Sequence, residues 1–239
     1  MATKNLIVDD KSFDISYEII NPTCTKDIIF LHGWGSNKDI MKNVFSTYLK
    51  DFRHIYIDLP GFGKTENKYE LKTSDYAKIT DAFLKLLNSS KDVIAGHSYG
   101  GKVATLLNPR NLVLLSTAGI LEEKPMDVKV KIALSKIFNK LGFSKITKAF
   151  RSKDVNTMSE NMYATFKNVV NEDFSSVFSN FLNNTLIFWG KEDTATSLES
   201  GKKISTLIKK STFISYDGDH YFFVKNVKDI SERIENGIH

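Results

Sequence analysis

Two hydrophobic rhythms take turns along the 239-residue chain. "SFDISYEI" (12–19) alternates apolar and polar positions at period two, whereas "DIIFLHG" (27–33) is a continuous apolar run, the signature of a strand covered on both faces. "KDIMKNVFSTYLK" (38–50) then sets Ile40, Met41, Val44, Phe45, Tyr48 and Leu49 on one helical stripe. "RHIYIDLPG" (53–61) reads as a strand, and "SDYAKITDAFLKLLN" (74–88) as a helix capped by Thr73 or Ser74. The rhythm continues with a short strand "KDVIAG" (91–96), a short helix "GGKVATLL" (100–107) and a strand "NLVLLSTAG" (111–119). It resumes downstream with "NTLIFWG" (184–190), a helix around Leu198 to Ile208, the strand "STFISYDG" (211–218) and a last helix from about Tyr221.

Strand and helix in strict alternation imply parallel β-α-β units with right-handed crossovers and helices on both faces, an α/β fold whose ligand sites lie at the carboxyl ends of the strands. The stretch 120–182 breaks the rhythm. It carries helical stripes (Val130, Ala133, Leu134, Ile137, Phe138 and Leu141; later Phe166, Val169 and Val170) and no convincing strand, and so predicts a helical insertion over the strand ends. The expected organisation is a core in two parts, 1–119 and 183–239, interrupted by a helical cap at 120–182.

Composition narrows the classes. A 41% hydrophobic, 12% aromatic chain of this length can bury a large core in one domain. No apolar run approaches a membrane span, and "MATKNLIVDD" has no basic region followed by an apolar stretch, so the expectation is a cytoplasmic protein without a membrane span. Cys24 is the single cysteine, which excludes an internal disulfide. The net charge of +5 is unevenly spread: Lys124 to Lys153 holds nine basic residues against Asp127, a net +8, leaving about −3 for the rest. No motif that reads nucleic acid accompanies this charge, so no nucleic-acid partner is expected.

Two phosphate-loop look-alikes fail. "GFGKT" (61–65) would need glycine at 58, where Asp58 stands, and neither Gly33/Gly35 nor Gly61/Gly63 is followed by the third glycine of a dinucleotide fingerprint. No cofactor and no metal are predicted. "AGHSYGG" (95–101) is different, because its Gly96-His97-Ser98-Tyr99-Gly100 core falls between a strand and a helix. Such a turn exposes a serine hydroxyl at the strand end and aims unpaired helix N–H groups at the same spot. A serine nucleophile needs a base and an acid to orient it. Of the five histidines, His54 lies inside a strand and His239 at the chain end, while His97 beside Ser98 points away from it as a bystander to proton transfer. His220, in "DGDHYFF" at a strand-end loop, is the best base. The loop after "LIFWG" offers Asp193, with Glu192 as the alternative.

With "FLHGWG" (30–35), "DLPGFGKT" (58–65), "GHSYGG" (96–101), "WGKEDTATS" (189–197) and "GDHYFF" (218–223), the chain resembles the α/β-hydrolase superfamily over nearly its whole length. The resemblance implies a mostly parallel central sheet flanked by helices, with a helical cap inserted after the sixth strand. It implies Ser98 as nucleophile, His220 as base and Asp193 as acid, with main-chain N–H groups of Trp34 and Tyr99 forming an oxyanion hole and His32, Trp34 and Tyr99 lining the substrate pocket. Two departures stand out: the helix after the serine ends early at Asn108-Pro109, and Asp219 replaces a glycine common before the histidine. "GHS" is commoner among esterases, lipases and thioesterases than among carbon-carbon hydrolases of ring-cleavage products, which usually resemble "GNS". "HGWG" and "DLPGFG" also resemble the esterases that demethylate a pimeloyl-acyl carrier protein ester. The expected reaction is hydrolysis of a small or acyl-chain ester or thioester through an acyl-enzyme, with the basic segment 124–153 as a docking face for an acidic acyl carrier protein. The competing readings are a carbon-carbon hydrolase and a non-catalytic ligand sensor.

Overall fold

In the computed structural model, residues 2–121 and 158–238 are described. Eight strands form one sheet in the order β1-β2-β4-β3-β5-β6-β7-β8. They are β1 (Ala2–Val8), β2 (Lys11–Ile20), β3 (Lys26–Leu31), β4 (Phe52–Ile57), β5 (Val93–His97), β6 (Asn111–Leu115), β7 (Asn184–Gly190) and β8 (Ser211–Tyr216). β2 runs antiparallel to β1 and β4, and every pairing from β4 to β8 is parallel. The strand read at 53–61 stops at Ile57, and β1 has no counterpart among the predicted strands. It is an edge strand of which only Leu6 is buried, with Ile7 71% exposed, so period-two burial leaves almost no hydrophobic trace.

The helices are α1 (Lys38–Phe45), α2 (Thr73–Leu86), α3 (Tyr99–Leu106), α4 (Glu160–Val169), α5 (Ser175–Ser179), α6 (Leu198–Leu207) and α7 (Phe223–Gly237). They cover both faces of the sheet, which is why the central strands read as unbroken apolar runs. Ile29, Leu31, Ile94, Leu112, Leu114, Ile187 and Trp189 point into the core beneath α2, α3 and α6. Their neighbours Ile28, Phe30, Val93, Ala95, Val113, Leu115 and Phe188 point into the core beneath α1 and α7. All fourteen side chains are fully buried, and burial at about 25 cal/mol per Å² makes this double layer the main source of stability.

α2 starts one residue earlier than its composition suggests. Its N-cap is Lys72, whose N–H donates to Asp75 (2.8 Å), while the Thr73 hydroxyl donates to Glu172. α1 ends at Phe45 with Ser46 as its C-cap, and Leu49 takes φ 53°, so Tyr48 and Leu49 continue the stripe from outside the helix. Between β6 and β7 the described residues form α4 and α5 and no strand. The stripe from Val130 to Leu141 and the whole basic segment 124–153 lie outside the described residues, as does His239.

Candidate active site

β5 delivers the chain to Ser98, which sits at φ 52°, ψ −117° between the last strand residue and the first residue of α3. A non-glycine residue is strained there, and the surroundings over-determine it. The Ser98 N–H donates to Leu115 O (3.1 Å), and Ser98 O accepts from Gly101 N (3.1 Å), Ala118 N (3.0 Å) and the Thr117 hydroxyl (3.1 Å). The flanking glycines are needed for close approach. A Cβ at Gly96 would lie 2.5 Å from Gly100 O, and one at Gly100 would lie 2.4 Å from Leu31 O at the end of β3.

The histidine loop follows β8 and brings His220 to β7's outgoing loop. The His220 Nδ1–H donates to Asp193 Oδ2 at 2.7 Å. Asp193 is fully committed: Oδ1 accepts from the N–H groups of Ala195 (2.8 Å) and Thr196 (2.9 Å), and Oδ2 also accepts from the Thr196 hydroxyl (3.0 Å). Burial by itself would raise the Asp193 pKa, but hydrogen bonds from His220, Thr196 and Ser116 overcome it and hold the carboxyl at about 2. The imidazole is therefore presented with Nδ1 protonated and Nε2 free to accept. Glu192 instead accepts the N–H of Gly218, and the exposed Asp219 accepts the N–H of Tyr221 (2.8 Å), so neither carboxylate faces the ring. Ser98 Oγ makes no hydrogen bond among the described residues.

Trp34 and Tyr99 flank Ser98 with their rings edge-on, 5.4 Å apart, and neither main-chain N–H has a hydrogen-bond partner among the described residues. Both line a cavity of about 400 Å³ together with Ser98, Ile120, Phe166 and Thr196. His32 does not line it, contrary to expectation. The ring is fully buried, with Nδ1 2.8 Å from Gly33 O and Nε2 accepting the N–H of Leu59 (3.1 Å); this struts the HGWG loop against the DLPG loop. Burial, outweighing the Gly33 carbonyl and Asp58, lowers its pKa to about 4. Asp58 organises the second loop: it accepts from Lys38 N (2.8 Å), Lys38 Nζ (2.6 Å) and Lys64 N (3.0 Å), so "GFGKT" wraps a carboxylate. His54 is structural, spanning Tyr56 OH (2.8 Å) and Leu49 O (2.9 Å).

Two groups at the site escaped the sequence reading, and a third, His97, is read there only as a bystander. Thr196 supplies an N–H and a hydroxyl to Asp193, which the spacing D-x-x-T could have suggested. Lys102, in the first turns of α3, lines the cavity while buried, and its Nζ donates to Val169 O and Glu172 Oε2 (both 2.7 Å). His97 donates across to the His220 loop. No group of three His, Cys, Asp or Glu side chains among the described residues is placed to hold a metal, and no helix among them is long and apolar enough to cross a membrane.

Comparison with known proteins agrees with this architecture. The alpha/beta hydrolase family pattern matches residues 28–196, and the chain belongs to that family. A pimeloyl-[acyl-carrier protein] methyl ester esterase of Pseudoalteromonas atlantica is 34% identical over 98 residues, a match that takes in 38% of this chain and 37% of that protein. The enzyme of the same description from Wigglesworthia glossinidia brevipalpis is 26% identical over 202 residues, covering 80% of this chain and 70% of that one. The AB hydrolase superfamily protein YisY of Bacillus subtilis is 26% identical over 243 residues, with 87% and 90% covered. Among solved structures, an esterase from Exiguobacterium antarcticum superimposes with TM-score 0.77 over 100% of this chain and 99% of its own, at 20% identity, a likeness of fold.

Proposed function

We propose that the protein is a serine hydrolase that cleaves a carboxylic ester or thioester through an acyl-enzyme. The observation that carries this reading is the Asp193–His220 bond of 2.7 Å, taken together with a serine held at φ 52° on a strand-to-helix turn. Rotation of the free Ser98 hydroxyl toward Nε2 makes His220 its general base, and Ser98 Oγ then attacks the substrate carbonyl. The tetrahedral oxyanion falls to the unpaired N–H groups of Trp34 and Tyr99, each worth about 3 to 4 kcal/mol in the transition state. The imidazolium protonates the leaving alcohol or thiol, while Asp193 stabilises the ring's charge; water, deprotonated by the same Nε2, releases the acid and restores the serine. The stretch 120–182 serves as the cap of this site. Trp34, Tyr99 and Phe166 suit an apolar acyl group.

Burst release of p-nitrophenol from p-nitrophenyl butyrate is the test. The burst is expected in the native chain and absent in Ser98→Ala; turnover that persists in that variant refutes the assignment. The relatives named as acting on a pimeloyl-[acyl-carrier protein] ester favour an acyl group delivered by a carrier protein, with the +8 segment 124–153 as its dock.

A further inference from the structure

His97 is the last residue of β5 and the immediate neighbour of Ser98, yet its side chain turns to the opposite loop. Its Nε2 lies 3.0 Å from the main-chain oxygen of His220. A carbonyl only accepts, so Nε2 must carry the proton and Nδ1 must be bare. Nδ1 is buried without a partner, and a Cβ at Gly33 would stand 3.2 Å from it. An unsatisfied buried ring nitrogen is a cost that an apolar side chain would avoid, and the Nε2–H is the one hydrogen bond the ring makes in return. The ring lies 4.5 Å from the ring of His220, 5.1 Å from Tyr221 and 4.9 Å from Phe223.

We propose that His97 is a positioning residue: its Nε2–H holds the main-chain carbonyl of His220 and so fixes where the base stands relative to Ser98. This rests on the serine-hydrolase reading above. The His220 loop, residues 217–222, belongs to no strand or helix and is tied at its start by Glu192 N–H to Gly218 O (3.0 Å). At the histidine itself it has an anchor on the ring, where Nδ1 lies 2.7 Å from Asp193 Oδ2 and 3.5 Å from Thr196 Oγ1, and a second, His97, on the main chain. The second anchor comes from the residue adjacent to the nucleophile, on a strand that pairs on both sides, His97 itself standing opposite Leu115. Serine and base are thereby measured from one rigid strand end. The strut also stays neutral: burial first, then the neighbouring charge of His220, push the His97 pKa down to about 3, against weaker upward pulls from the His220 carbonyl and Asp193 and with His32 adding to the fall. No second imidazolium forms beside the working one.

The test compares His97→Leu, which removes the donor, with His97→Gln, whose amide nitrogen reaches the Nε2 position. With p-nitrophenyl butyrate, His97→Leu is expected to lose about 10- to 100-fold in kcat with KM within about twofold, because a displaced base costs turnover more than binding. His97→Gln is expected to recover most of that loss at a similar Tm. A leucine variant within about twofold of the native kcat, or a glutamine variant as impaired as the leucine one, overturns the proposal. The imidazole nitrogen spectrum of the native protein provides a reading independent of folding in the variants. His97 is expected as the Nε2–H tautomer throughout pH 6 to 9, and a protonated or Nδ1–H ring overturns the proposal. Failure of the hydrolase reading appears elsewhere, as absence of ester turnover and of Ser98 labelling by a fluorophosphonate, while the tautomer still reports the hydrogen bond.

Discussion

Replacing Asp193 with asparagine changes one atom and should silence the site through a tautomer. Two donors, the N–H groups of Ala195 and Thr196, converge on Oδ1 at 2.8 and 2.9 Å, and only an oxygen satisfies them. The asparagine amide therefore turns its oxygen to the main chain and its NH₂ to the Oδ2 position, 2.7 Å from His220 Nδ1. That nitrogen must then accept, so the ring proton moves to Nε2, where it faces the serine and cannot take the serine's proton. A base fixed in the wrong tautomer costs about 10⁴ in kcat, which at 1.36 kcal/mol per factor of ten is a barrier higher by about 5.5 kcal/mol. The assay is single-turnover and steady-state hydrolysis of p-nitrophenyl butyrate, with cooperative thermal unfolding as the control for folding. Glu192→Gln is the matched comparison: its side chain keeps an acceptor for Gly218 N–H, and kcat is expected within about threefold of native, a change of under about 0.7 kcal/mol. A kcat for Asp193→Asn within tenfold of native, or a collapse confined to Glu192→Gln, refutes the reasoning.

The same carboxylate makes stability depend on pH. Its pKa falls from 3.8 to about 2 on folding, so its stabilisation, about 2 kcal/mol, is fully present above pH 4 and is lost as pH falls toward 2. Urea unfolding at pH 7, 4 and 2.5 should show that loss in the native chain and less of it in Asp193→Asn; equal acid sensitivity would contradict the shift. Lys102→Met strands Glu172 and the carbonyl of Val169 and is expected to destabilise by about 2 to 3 kcal/mol, with Lys102→Met/Glu172→Gln recovering part, as read by denaturant midpoints. With Glu172→Gln completing the cycle, a double mutant whose loss equals the sum of the two singles would mean that the pair contributes nothing mutual. Charge reversal at Lys136 and Lys140 should weaken turnover of an acyl-carrier-bound ester and flatten its salt dependence while leaving p-nitrophenyl butyrate hydrolysis intact; an unchanged salt dependence removes the docking idea.

Much of this fold is written in local pattern. The continuous apolar run at 27–33 and the short strands read at 91–96, 111–119 and 184–190 fall on β3, β5, β6 and β7, because a strand covered on both faces is apolar along its middle. β1 escaped for the converse reason, since an edge strand with one buried side chain carries no pattern to find. The turn around Ser98 was legible because its constraint is local: glycines where a Cβ would strike backbone, between a strand and a helix.

What the sequence by itself determined is therefore the class of architecture and the residue types of the candidate site: Ser98 on its turn, His220 after a strand, and an acid in the loop after β7. The sequence preferred Asp193 to Glu192, and which of the two touches the His220 ring belonged to the tertiary structure. Adjacent residues in one loop differ only in direction, and direction is set by which donors stand nearby: Ala195, Thr196 and His220 around one, Gly218 around the other. Where the His32 and His97 rings point was decided in the same way. In sequence, one sits in the loop over the pocket and the other beside the nucleophile. In space, His32 is sealed between two loops, while His97 spans 123 residues to hold the carbonyl of His220, a contact that exists only once β5 and the loop after β8 have been brought together by the sheet.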